Sequence, residues 1–223
     1  MTYFSSDFVK FFEELEENNH KEWFDENRKR YEKEIKNPFK AFITDLILAI
    51  QKFDPEIMIK PKDAIFRINR DIRFSKNKQP YKNNVAAFIS KVSKKEQFPG
   101  YYMHLDAKGI WLGGGLYELS TENIYKVRQE ILYNEKNLND ALNEKGFDKE
   151  FGELQGEKNK ILKAPFKEFG EDIPILFQKQ FYFMKQFPAS KITSDTLVNF
   201  CAGKFEKAYP VNKFLRLAVE NLE

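Results

Sequence analysis

Between positions 60 and 95 the chain carries eleven basic side chains and two acidic ones, Asp63 and Asp71. Within this segment Arg67, Arg70 and Arg73 recur at threes, and Lys78, Tyr81 and Lys82 follow around Pro80. Arginine presents a planar fork matched to carboxylate or phosphate oxygens and lysine a compact point charge, so a site that mixes them can hold and orient an anionic group. Pro80 restricts the backbone of a loop from which Lys76, Lys78, Tyr81 and Lys82 can point at one anion. Asp71 reads as a residue that orients an arginine, because flanking cations depress its pKa and make it a poor base near neutrality. Arg28 and Arg128 are more distant arginines that can join the cluster.

Other residue types with chemical potential carry plainer explanations. Gly113-Gly114-Gly115 precedes a helix cap at Ser120 and could expose N–H groups to an anion. It lacks the spacing of a nucleotide-binding fingerprint, and close approach of backbones explains such a run more often. Period two places His104 with Tyr102 and Asp106, where it could act as a general acid or base, although a lone strand histidine is usually a satisfied or surface residue. No His, Cys or carboxylate spacing builds a metal site, so none is expected. Ser75 and Cys201 have no local motif to activate them, and Cys201 sits with Leu197 and Phe205 as core. Trp23 and Tyr31 at helical spacing read as core as well.

These residues need a scaffold. Phe8, Phe11, Phe12 and Leu15 recur at helical spacing behind Ser5, Ser6 and Asp7, which can cap a first helix. Asn19 with Glu22 suggests a capping box for a second helix carrying Trp23, Phe24, Tyr31 and Ile35. Asn37-Pro38 marks a third start, followed by an apolar stripe from Phe39 to Ile50. From Ile65 to Phe74 apolar and polar residues alternate as in a half-buried strand, broken at Arg70, whose guanidinium then needs a carboxylate, phosphate or carbonyl partner. Stretches 85–92, 101–106 and 110–112, with a turn at Ala107-Lys108-Gly109, predict an antiparallel sheet, and Phe181–Met184 a further strand. Ser120 or Thr121 caps a helix whose spacing runs toward Gly146, and the charged stretch 148–163 reads as a surface excursion. Pro210 is expected to divide the C-terminal helical segment in two. Helices, then strands, then helices, without regular βα alternation, predict an α+β fold. It is expected as one domain over residues 1–223, helical in 1–54, basic and strand-bearing in 55–118, and mainly helical in 119–223.

The 223 residues are 42% hydrophobic, with 23 Phe and 10 Tyr, which excludes a disordered chain and predicts an aromatic-rich core. A net charge of +3 is too near balance for a surface that is basic throughout, as in generic nucleic-acid or membrane binders. The basic segment alone carries +9, which leaves −6 for the remainder, and residues 1–27 hold eight acids against Lys10 and Lys21. Any anion preference is therefore local. A single cysteine excludes an internal disulfide and fits a reducing compartment. With no export leader and no apolar run near the roughly 20 residues of a membrane span, a cytoplasmic protein away from membranes is expected.

The motif Phe66-Arg67-Ile68-Asn69-Arg70-Asp71-Ile72-Arg73-Phe74-Ser75-Lys76, running into Lys78-Gln79-Pro80-Tyr81-Lys82, resembles a bacterial family of conserved proteins known as the DUF2461 domain of unknown function. Asn18-Asn19, Trp23-Phe24, Arg28, Tyr31, Pro38, Gly100-Tyr101-Tyr102, Gly113 to Tyr117 and Arg128 carry the resemblance over most of the chain. The chain departs from the family pattern at Asn77, where an aspartate is frequent. The resemblance implies positions of interest, with no reaction, substrate or cofactor attached to them.

The leading expectation is a pocket for a phosphorylated or otherwise anionic small molecule, built by Arg67, Arg70, Asp71, Arg73, Lys78, Tyr81 and Lys82 with Arg28 and Arg128. Two alternatives stand beside it. One is a nucleic-acid-binding module that stacks bases on Phe74, Tyr81 and Phe88. The other is a structural or partner-binding protein whose acidic N-terminal helices meet the basic segment as an ion-pair network.

Overall fold

The computed structural model describes residues 1–220 and has an α+β architecture. Helix α1 (Asp7–Glu17) buries Phe8, Phe11, Phe12 and Leu15 on one face, as their spacing requires. Arg30 ties this helix down by donating to Asp7 at 2.7 and 2.8 Å and to Glu14 at 2.5 and 3.1 Å. Helix α2 (Lys21–Glu26) is capped by His20, whose ring accepts the Trp23 N–H at 3.4 Å, so Asn19 is not the cap. Asn19 instead accepts the Tyr81 N–H at 3.0 Å and donates to the Tyr81 carbonyl and Asn83 Oδ1, which fastens the basic segment to the helices.

The start expected at Asn37-Pro38 is present, but no loop precedes it. Helix α3 (Arg28–Arg30) runs through a π-wound stretch (Tyr31–Lys36) directly into α4 (Asn37–Ile50). The wider turn falls just before Pro38, which has no N–H to donate to the turn preceding it. A short α5 (Pro61–Ala64) then leads into the basic segment.

Four antiparallel strands follow in spatial order β1 (Asn84–Ser90), β2 (Gly100–Asp106), β3 (Gly109–Leu116) and β4 (Phe181–Pro188). The β2–β3 turn closes on Asp106, whose Oδ1 accepts the N–H groups of Lys108 and Gly109, both at 2.8 Å. Val85, Ala87, Ile89, Tyr101, Met103, Leu105, Ile110 and Leu112 are buried on the sheet face that meets the helices.

Between β3 and β4 lie α6 (Thr121–Tyr133), α7 (Glu135–Asn143) and α8 (Phe147–Phe151), with Ser120 capping α6 through the Asn123 N–H at 3.1 Å. The stretch after α8 is less superficial than its charge suggests. Leu154 and Leu162 are buried, and Gln155 pairs with Tyr182 beside β4. Helix α9 (Leu197–Glu220) is continuous through a buried Pro210, because apolar residues on both sides, from Phe205 to Leu215, hold it against the core. Two residues beyond the proline, buried Asn212 accepts the Gly115 N–H and donates to the Gly100 carbonyl, each at 3.1 Å. Among the described residues no helix is long and apolar enough to cross a membrane.

The predicted strand over 65–74 is an irregular arm. Ile65 bridges Ala87 and Asn69 bridges Tyr81, while Lys82 donates its N–H to the Ile68 carbonyl at 2.9 Å and Arg70 its own to Pro80 at 2.8 Å. Alternation thus survives locally, but the chain doubles back on itself around 71–79 before it can extend the sheet.

Candidate ligand cleft on the outer face of the sheet

The residues selected from sequence have separate partners. Arg70 is spent on its own loop, donating to the Gln79 carbonyl at 3.2 Å and to Ser75 Oγ at 3.3 Å. Lys78 donates to the Ile72 carbonyl at 3.0 Å. Arg73 forms a two-pronged pair with Asp71 at 3.0 and 2.7 Å, and this pair holds the Asp71 carboxyl below its usual range. Arg28 pairs with Asp25 at 2.5 Å. Tyr81 is buried with its ring stacked on Phe24, centroids 3.9 Å apart. Arg128 is buried in α6, donates to the Gln178 carbonyl at 3.0 Å and lies over Phe166. The nine residues therefore enter several local networks, and most of their cationic tips are met by the protein's own groups.

Arg67 and Lys82 differ from the rest. Lys82 Nζ lies 5.2 Å from the centre of the Phe66 ring, and Lys94 Nζ lies at the same distance from that ring. Burial lowers the Lys82 pKa, and the charges of Arg67 and Lys94 lower it further. Burial lowers that of Lys94 too, with Asp63 opposing and Lys95 adding to the effect. Lys94 donates to the Ile65 carbonyl at 2.6 Å, and among the described residues none of Arg67, Lys82 and Lys94 forms an ion pair. The result is a corner in which two partly desolvated ammonium groups share one aromatic ring, with no carboxylate in ion-pair contact with either among the described residues.

That ring lines a cleft of about 690 Å³ together with Phe88, Lys94, Lys95, Tyr102, His104, Tyr117, Tyr182 and Met184. Its floor is the sheet face turned away from the helices, where register aligns Phe88, Tyr102, Gly113 and Met184 across the four strands. The glycines keep this floor low. A Cβ on Gly115, where φ is +81°, would lie 2.3 Å from the Phe181 carbonyl oxygen. Gly115 spends its N–H on Asn212, so the glycine run serves close backbone approach, and this amide is not free for an anion.

A polar row crosses the same floor. The Tyr102 hydroxyl and His104 Nδ1 are 3.1 Å apart, and His104 Nε2 lies 3.6 Å from Asp106 Oδ2. His104 stacks on Trp111 across the strand pair, with ring centroids 5.4 Å apart. Burial opposes ionisation of Asp106, but the facing His104 ring and hydrogen bonds from the Lys108 and Gly109 N–H groups prevail and hold its carboxyl below the ordinary range. Among the described residues no group of three or more His, Cys, Asp and Glu side chains could hold a metal ion.

Sequence periodicity exposed the Tyr102, His104 and Asp106 alignment. Nothing local exposed Phe66 as a ring shared by two lysines, because Lys94 reaches it from beyond β1. Tyr182 enters the cleft through the β3–β4 pairing, a long-range contact with no sequence signature.

A family model described as "Conserved hypothetical protein (DUF2461)" matches residues 7–214. No curated protein and no solved structure matches the chain.

Proposed function

The chain belongs to the DUF2461 family of conserved hypothetical proteins, and from its own geometry we propose that the outer-face cleft binds a small anionic molecule carrying a flat ring. The observation that supports this reading is the pair of lysines on Phe66, without ion-pair partners among the described residues, beside a cleft walled by aromatic rings. An anion there relieves the mutual repulsion of Arg67, Lys82 and Lys94, and Phe66, Tyr102 and Tyr182 offer faces and edges to a ring. Phosphate matches the two lysine point charges that meet at Phe66.

Phenyl phosphate, titrated calorimetrically, tests the reading. Lys82→Ala and Lys94→Ala are each expected to weaken binding about 10-fold or more, the loss of one charge-assisted contact. Arg73→Ala and Lys78→Ala are expected to leave it unchanged, since neither side chain lines the cleft. Absence of binding, or equal effects of both sets, rejects the reading.

A nucleic-acid reading draws on a different feature. Phe74 is 95% exposed at the end of the arm, with the Arg73 guanidinium 5.8 Å from its ring. Binding of single-stranded oligonucleotides that falls steeply with salt and is lost in Phe74→Ala would favour it.

A further inference from the structure

Every second residue of β2 from Tyr102 onward contributes to one polar row, in which Tyr102 and His104 line the cleft and Asp106 stands behind them. Asp106 is pinned by two turn N–H groups, so its second oxygen is presented to His104 Nε2 from a fixed position. Trp111 packs on the imidazole face and limits its rotation. His104 and Asp106 have side chains only 18% and 19% exposed, so water competes weakly for these contacts. With Nε2–H turned to the carboxylate, Nδ1 is left as an acceptor for the Tyr102 hydroxyl. The phenolic oxygen then keeps its lone pairs for whatever occupies the cleft.

We propose that Tyr102, His104 and Asp106 form a proton shuttle that deprotonates a hydroxyl group of an anionic, ring-bearing ligand held in this cleft. The proposal rests on the ligand-binding reading. In the step, the ligand O–H bond breaks and its proton passes to the Tyr102 oxygen. The Tyr102 O–H bond breaks in concert, and that proton passes to His104 Nδ1. The ligand oxygen retains the electron pair as a nucleophilic alkoxide, and Asp106 stabilises the imidazolium through Nε2–H. Burial raises the pKa of the Tyr102 phenol, so the residue passes a proton onward without resting as a phenolate. Lys94, which lines the same cleft, balances the charge that develops. Tyr102 and His104, which carry the proton, are the catalytic residues, and Asp106 is a positioning residue that acts through His104.

The probe is 4-(fluorosulfonyl)benzoate, whose carboxylate and ring match the cleft and whose sulfur reports on the phenol. In labelling, the Tyr102 oxygen bonds to sulfur, fluoride leaves, and the phenol proton goes to His104. Peptide mass spectrometry is expected to find Tyr102 modified ahead of Tyr133, which is exposed and outside the cleft. His104→Asn is expected to lower the saturating rate at Tyr102 about 100-fold, the scale of general-base assistance, with little change in the half-saturating concentration. Asp106→Asn lowers it less and Asp106→Glu restores it, whereas Lys94→Ala raises the half-saturating concentration. Labelling of Tyr102 no faster than Tyr133, or unaltered by His104→Asn, overturns the shuttle. Labelling of Tyr102 that depends on His104 but never saturates overturns the ligand reading and retains the shuttle. A second measurement needs no ligand: imidazole nitrogen NMR of the full chain, which has only one other histidine, His20. An unprotonated Nδ1 in neutral His104 is required, and a proton found there overturns the proposal.

Discussion

Tyr101 and Tyr102 are neighbours on one strand and face opposite sides of the sheet. Tyr101 is completely buried and donates to Asp54 at 2.9 Å, while Arg216 grips the same carboxylate at 3.1 and 2.8 Å. Tyr102 is half-buried, meets His104 and through it Asp106, and lines a cleft. Both rows join a phenol, a carboxylate and a basic side chain. The first is buried at its phenol, carboxylate and guanidinium and joins α9 to the segment after α4. The second is open at its phenol end. Similar groups hold a fold together when protein surrounds them, and become available for chemistry when one end is left open.

The largest expected difference between the rows is in stability. Arg216→Ala strands a buried carboxylate and is expected to cost about 3–5 kcal/mol in urea denaturation, against about 1 kcal/mol for Asp106→Asn. Equal losses would erase the distinction between a closed and an open row. Next comes the floor that makes the outer face concave. Gly115→Ala places a side chain at φ +81° against the Phe181 carbonyl and is expected to cost at least about 2 kcal/mol. A smaller effect separates the two tyrosines. Tyr101→Phe is expected to lose about 1–3 kcal/mol by leaving Asp54 short of a donor, and Tyr102→Phe less than about 0.5 kcal/mol.

The smallest effect is in pH dependence. Burial and the neighbouring charges of Arg67 and Lys94 lower the Lys82 pKa, so its charge is lost at a pH below the ordinary lysine value. Phenyl phosphate affinity is therefore expected to fall as pH rises through that alkaline window. The free protein gains slightly in stability over the same interval, because the unfolded chain binds the proton more tightly. Asp106 has the opposite sign: its folded pKa is lowered, so its contribution is present above the ordinary aspartate range and lost as pH falls through the folded value. Melting curves collected across both ranges check each sign.

Much of the scaffold was legible from sequence because it depends on local spacing. The Phe ladder of α1, the Ser120 cap and the β2–β3 hairpin all follow from residues close together in the chain. Pro210 misled because burial on both sides of it outweighs one missing hydrogen bond. Asn37-Pro38 does open a helical element, α4, but the π-wound stretch before it joins that helix to the preceding one without a gap. The basic segment was conspicuous, but composition cannot tell a cation that has a partner from one that lacks it. Arg70, Arg73 and Lys78 find partners within a few residues, whereas Lys82 and Lys94 meet at Phe66 only after β1 has crossed the sheet.

Methyl and aromatic NMR of the full chain, with phenyl phosphate added stepwise, tests the central claim most directly. Met184 and Tyr102 report from the cleft floor, and exposed Phe74 reports from the arm. Saturable shifts at Met184 and Tyr102, abolished by combining Lys82→Ala with Lys94→Ala while Phe74 stays still, are the predicted result. Shifts confined to Phe74 and its neighbours, with the cleft signals unmoved, would contradict it.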